Sequence, residues 1–162
     1  MLNILNSLTR LTGGLLNKVQ AGRLFDEALA YFQAKEYKAS LPLMKEAAEK
    51  GSPFAMAHLG MMAMKGLGMP CDWKMAVELM EMTIKLEDYQ GTYYSTTSLK
   101  SSIGMVYAIG GYGLKRDLEK AKAYLQEAAN EGDDKSAGFL KLVVARKGVF
   151  GQKEKARPDI KW

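Results

Sequence analysis

Histidine and cysteine occur once each in this 162-residue chain, and proline only four times. A lone cysteine, Cys71, closes no intramolecular disulfide and no multi-thiolate zinc site, so nothing asks for an oxidising compartment and the expected location is cytoplasmic. A lone histidine, His58, with no G-x-S-x-G and no H-E-x-x-H, supplies neither a hydrolytic triad nor a zinc-protease helix. The acidic residues fall mainly on lysine-rich helical faces, so no organised carboxylate pair stands near a nucleophile. No catalytic residue, metal ligand or cofactor is expected. The scarcity of proline, with 48% hydrophobic and 25% charged residues, describes one globular domain rather than a disordered chain.

Long apolar runs are missing too. The leucine-rich start "MLNILNSLTRLTGGLLNKVQ" is interrupted by Asn3, Asn6, Ser7, Thr9 and Arg10, and no basic residue precedes its apolar part. That pattern argues against a secretory signal and excludes a membrane span. Leu5, Leu8, Leu11 or Leu15, and Val19 recur at helical spacing, with Gly13 and Gly14 weakening the middle. Residues 1–20 are read as an amphipathic docking helix, with a membrane-surface helix as the alternative.

The net charge of +5 sits at one end. Residues 141–162 hold seven basic and two acidic side chains, so the rest of the chain is balanced. A nucleic-acid binder carries a basic stripe on its folded surface, and no nucleic-acid partner is expected here. The tail at 149–162 is either a solubilising end or a patch for an acidic partner.

What the chain does have is a repeat. "YKASLPLMKEAAEKGS" (37–52) lies over "LEKAKAYLQEAANEGD" (118–133), each a helix closed by a glycine, Gly51 or Gly132. "WKMAVELMEMTIKLE" (73–87) fits the same register. Upstream, "HLGMMAMKGLGMPCD" (58–72) matches "SIGMVYAIGGYGLKRD" (102–117) with one extra residue in the glycine loop. Leu59 and Gly60 pair with Ile103 and Gly104, Gly66 and Gly68 with Gly111 and Gly113, and Asp72 with Asp117. Each unit is a helix, a glycine loop, an aspartate at the next helix start and a second helix. Such a pair buries its apolar faces only by stacking on its neighbours.

At these residues the chain resembles the Sel-one-like repeat, a relative of the tetratricopeptide repeat. The pattern A-x-x-LG-x-M, glycine loop, aspartate and alanine, then AA-x-x-G, is carried from Ala55 or Ala57 to Ala76 and more cleanly from Ile103 to Gly132. Ala63 replaces the usual aromatic in the first of these, and Thr83, Ile84 and Glu87 replace its AA…G ending. The preceding segment lacks the glycine loop and looks like a tetratricopeptide unit through Leu24, Ala28, Tyr31, Tyr37, Ser40 and Ala47. The resemblance implies an all-α solenoid of stacked antiparallel helix pairs, about seven or eight helices, with an N-terminal docking helix. Its repeats are expected at about 24–52, 53–87 and 98–133 within a domain at 21–148, closed by a cap at 134–148.

The register also sorts the methionines. Eight of eleven fall in 56–82 beside His58 and Cys71, ligands suited to cuprous copper. Yet Met62 aligns with Val106, Met69 with Leu114 and Met80 with Leu125, which are core positions where a thioether fills space. His58 aligns with Ser102 and Cys71 with Arg116, so the metal set has no repeat logic.

By resemblance, the first helix of each pair lines a concave face, which places Phe25, Leu29, Phe32, Phe54, His58, Met61, Met64, Lys65, Met105 and Ile109 along an apolar groove. The insertion "DYQGTYYSTT" (88–97), which breaks the repeat period, adds Tyr93 and Tyr94. Its tyrosines, Tyr89 as well as these two, either anchor an interface or fold back to seal a seam between copies. The expected function is non-catalytic binding of a partner protein in the groove, as a bacterial adaptor or as an immunity protein neutralising a cognate toxin. A homodimer through the groove would also cover it. The alternative is a peripheral membrane or acidic-surface binder using the N-terminal helix and the basic tail.

Overall fold

A computed structural model describes residues 2–87, 89 and 91–145, with side chains from Gly14 onward. The basic tail and the side chains of Leu5, Leu8 and Leu11 lie outside the described residues. Seven helices follow one another: α1 (Leu2–Gln33), α2 (Tyr37–Glu49), α3 (Pro53–Lys65), α4 (Trp73–Ile84), α5 (Thr96–Ile109), α6 (Leu118–Asn130) and α7 (Asp134–Ala145). Among the described residues there is no strand, only an isolated antiparallel bridge between Gly111 and Leu114. Helices α3 and α4 fall in the copy expected at 53–87, α6 and most of α5 in that at 98–133, and α7 in the cap. Helix α1 runs unbroken past residue 20, the expected end of a separate docking helix.

The chain divides into two compact units. Unit 1 is Met1–Cys71 with Met75–Tyr93, and unit 2 is Asp72–Lys74 with Tyr94–Trp162. In unit 1, α2 packs on α1 and α3. Its buried residues Ser40, Met44, Ala47 and Ala48 recur every three or four positions, the spacing of one helix face. The buried Ser40 hydroxyl donates to the Ala28 carbonyl of α1 at 2.7 Å, so the one polar group on that face is satisfied. Met44 and Met62 are fully buried in the core with Phe25, Ala28 and Leu59. In unit 2, α6 packs on α5 and α7, and presents Ala121, Leu125 and Ala128 in the same pattern.

Helix starts follow side-chain capping. Ser52 stands in an extended conformation before Pro53 and its hydroxyl accepts from the Ala55 amide, while Asp117 accepts from the amides of Glu119 and Lys120. Two glycines set how close the paired helices come. A Cβ on Gly60 would stand 3.1 Å from Met80 Cγ, and one on Gly104 only 2.7 Å from Leu125 Cγ. The repeat therefore places the same contact in both units, with Met80 in one and Leu125 in the other.

The glycine loops refine the sequence alignment. Gly66, the cap of α3, and Gly110, the cap of α5, share a φ of +70° though not a ψ (35° against 158°), and each faces the residue that the register pairs, Cys71 or Arg116. The extra residue of the second loop therefore enters after this cap, and Gly110 rather than Gly111 matches Gly66.

Candidate functional site

The expected groove positions of unit 1 converge on a cluster of rings. Phe25 and Phe32 lie seven residues apart on α1, and Phe54 and His58 four apart on α3, so each pair shares one helix face. The ring of Phe25 lies 5.8 Å from that of Phe54 and 5.2 Å from that of His58, and Phe32 approaches His58 at 5.4 Å with the planes nearly perpendicular. Contacts of this kind contribute roughly 0.5–1.5 kcal/mol each beyond the area they bury.

The insertion folds onto this cluster. The ring of Tyr93 lies 5.6 Å from Phe25, 6.2 Å from Phe54 and 5.1 Å from His58, in edge-to-face arrangements, and yet the residue keeps 46% of its surface exposed. Tyr89 is buried, 5.8 Å from Phe54. Tyr37, at the start of α2, adds a ring 5.3 Å from Phe32. Tyr89 belongs to the tyrosine trio of the insertion, whereas Tyr37 is not among the residues that the sequence points to. Tyr37 stands at a tetratricopeptide-like repeat position, so its sequence signal is structural.

The other expected positions fall in several environments. Met61 and Met64 are buried in α3, Leu29 is half-buried beside the core, and Lys65 is exposed in the last turn of α3, where a cation complements the helix dipole. Tyr94, Met105 and Ile109 belong to unit 2, and each is half-buried there.

His58 is the electrostatic centre of the cluster. It is 2% exposed, and its Nδ1 lies 2.9 Å from the Phe54 carbonyl, which only accepts, so Nδ1 carries the proton. Burial among carbon rings pushes its pKa below the ordinary 6.5, and the bond to the Phe54 carbonyl opposes that shift. Among the described residues no three His, Cys, Asp or Glu side chains come together as a metal site.

Unit 2 builds the corresponding helix differently. Where α3 carries Phe54, Ala57 and His58, α5 carries Ser98, Ser101 and Ser102. The Ser102 hydroxyl donates to the Ser98 carbonyl at 2.9 Å. Ser136 donates to Ser101, and Ser101 to Asp133 Oδ2, both at 2.8 Å, while the same carboxylate oxygen accepts the Ser136 amide at the start of α7. Hydrogen bonding to Ser136, then to Ser101, holds the Asp133 carboxyl below its usual range. The chain of hydroxyls and the one carboxylate oxygen tie α5 to the start of α7. Lys100 lies 2.6 Å from Glu131 and 3.1 Å from Glu127; the bond to Glu131, aided by Glu127, raises the lysine pKa, and the bonds from Lys100 and Thr97 lower that of Glu131.

No protein-family model and no curated protein matches the chain. Several solved structures do, among them two with this kind of repeat. A Sel1 repeat protein from Oxalobacter formigenes is 23% identical, covering 79% of this chain and 50% of that one, with a TM-score of 0.60. The c5321 protein, a protective antigen present in uropathogenic Escherichia coli strains and displaying an SLR fold, is 18% identical, covering 86% of this chain and 35% of that one, with a TM-score of 0.53. The chain thus spans half the length of the first and about a third of the second. Helix order, repeat spacing and these likenesses agree: the chain has the all-α solenoid fold of Sel1-like repeat proteins.

Proposed function

We propose that the chain is a non-catalytic interaction module and that unit 1 carries its contact surface for a partner protein. The observation that carries the reading is Tyr93, held by three rings from α1 and α3 while nearly half of it faces solvent. A large amphipathic ring, positioned by its neighbours before binding, anchors an interface at little entropic cost. Phe25 and His58 are already buried, so the partner meets Tyr93 and the half-buried Phe32 and Phe54 at the rim rather than an open apolar trough. Bacterial adaptor and immunity roles both use such a surface; a cognate toxin as partner defines the second.

The test is a photo-crosslinking residue placed at position 93 and, as control, at the exposed position 45 of α2. The expected result is one protein partner captured from position 93 and none from 45, with Tyr93→Ala weakening binding by about tenfold or more. A partner that binds Tyr93→Ala at full strength and crosslinks elsewhere would sink this assignment of the surface.

A further inference from the structure

One of the side chains that hold Tyr93 in place can take up a proton near neutral pH. His58 is 2% exposed, and three rings enclose it: Phe25 and Phe32 from α1, and Tyr93 from the insertion. The first two are fixed. Phe25 is buried in the core of unit 1 with Ala28, Met44 and Ala47, and Phe32 packs against that core and on Tyr37. The imidazole is held as well, by the bond between Nδ1 and the Phe54 carbonyl one turn back on its own helix. Tyr93 differs from these. It lies in the irregular segment between Gly91 and α5, outside any helix, and nearly half of it already faces solvent. It is therefore the wall of the cluster that moves at least cost.

With Nδ1 already carrying a proton, a second one goes to Nε2 and makes the ring a cation. The groups that face it do not compensate that charge. Helix α1 turns Phe25 and Phe32 to it, while the neighbouring Asp26 and Glu27 are exposed. The titratable groups on its other sides are phenols, Tyr93 directly and Tyr37 of α2 behind Phe32, and phenols carry no charge near neutral pH. The one charged residue of α3, the exposed Lys65, has the same sign. Burial is the larger cause acting on the imidazole and favours its neutral form, with no carboxylate among the causes. Lifting the Tyr93 ring opens the imidazole to water, which hydrates the charged form, so proton uptake and opening are linked.

We propose that His58 and Tyr93 form an acid-sensitive latch: the neutral imidazole holds the Tyr93 ring against unit 1, and its protonation releases that ring into solvent. Because a single proton drives the change, the released population grows by no more than about tenfold for each pH unit below the ordinary 6.5, and levels off below the folded pKa. For a partner anchored on Tyr93 the latch is a pH-dependent release; this consequence rests on the partner-binding reading, whereas the latch is a property of the chain alone.

His58 is the only histidine, so the midpoint of its ring signal is read directly by proton NMR on the full-length chain. A ring that does not titrate, 4-fluorophenylalanine, is placed at position 93 and, in a second sample, at position 124 of α6 in unit 2. Fluorine NMR follows both as pH is lowered from about 8 to about 5. The signal at 93 is expected to move toward that of the free amino acid with the midpoint of His58, and the signal at 124 to stay. His58→Phe should abolish the movement at 93. Tyr93→Ala, at an exposed position, should raise the His58 midpoint toward 6.5, because the charged ring is then hydrated without any opening. The latch is overturned by a signal at 93 that stays in place through the His58 midpoint, by a midpoint that Tyr93→Ala leaves unchanged, or by equal movement at 93 and 124, which is unfolding. Movement at 93 with partner binding unweakened by acid upholds the latch and overturns the placing of the partner on Tyr93.

Discussion

Helices α3 and α5 occupy the same place in their repeats and close it in opposite ways. In α3 the positions of Phe54, Ala57 and His58 are apolar or aromatic, and the rings of Tyr93 and Tyr89 are laid upon them. In α5 the matching Ser98, Ser101 and Ser102 turn to carbonyl and carboxylate partners instead. The repeat therefore specifies the helix pair, its caps and the close approach at one glycine, and leaves the inner positions to each copy. A surface that anchors a partner is free to evolve at those inner positions, because the pair folds without them.

The glycine loops give the largest expected difference. A Cβ on Gly68 would meet the Tyr37 carbonyl oxygen at 2.6 Å in a residue with φ +70°, whereas one on Gly113, with φ +81°, finds nothing nearer than 3.8 Å. Gly68→Ala should therefore cost about 2–5 kcal/mol, combining left-handed strain with an overlap against backbone that has no rotamer to yield. Gly113→Ala should cost about 1–2 kcal/mol from strain alone. Chemical unfolding of the two variants measures this, and equal losses would break the argument that the loop of unit 1 is held by α2.

The helix glycines come next. Gly104→Ala drives a methyl against Leu125 Cγ and Cδ2, at 2.7 and 3.0 Å, with the Ala121 carbonyl behind it at 3.2 Å. Gly60→Ala meets Met80 Cγ at 3.1 Å, on an unbranched side chain that swings away more easily. The first should cost about 1–3 kcal/mol and the second less than about 1 kcal/mol. Adding Leu125→Met to Gly104→Ala should recover part of the loss; a thermal melt showing no recovery would remove side-chain flexibility as the cause.

Much of this was legible in the sequence because it is periodic. The helix pairs, the cap at Asp117, and the core use of Met62 and Met80 all follow from register. Three features were not. Helix α1 passes through residue 20 because no proline or helix-ending glycine stops it, and the change of apolar side between Val19 and Ala21 disguises one helix as two segments. The place of the extra loop residue depends on a φ value that no letter encodes. The tyrosine insertion supported two readings, since the same ring that seals Phe25 and His58 also presents its outer half to solvent.

A smaller effect tests the hydroxyl side of the comparison. Ser101→Ala removes the donor to Asp133 and the acceptor of Ser136, and should cost about 1–2 kcal/mol, because a nearly fully buried hydroxyl is left one partner short. The matching α3 residue, Ala57, already lacks a hydroxyl. If Ser101→Ala leaves the melting temperature unchanged, the serines of α5 are space-filling and the contrast with α3 is one of composition only.

The smallest effect near neutral pH comes from His58. Its folded pKa lies below the ordinary 6.5, so the unfolded chain takes up a proton first as pH falls. The stability that neutral His58 contributes is whole above about pH 7, declines as pH drops through 6.5, and levels off below the folded pKa. His58→Phe keeps a ring in the cluster and removes the titration, so its stability should fall less over that window. Ser102, at the matching place in α5, does not titrate. Amide exchange read separately in the two helices between about pH 5 and 7, after correction for the intrinsic rate, should therefore show protection declining with acid in α3 and not in α5. Equal decline in both would mean that the loss is global and does not originate at the ring cluster, because only one of the two inner faces contains a group able to sense the proton.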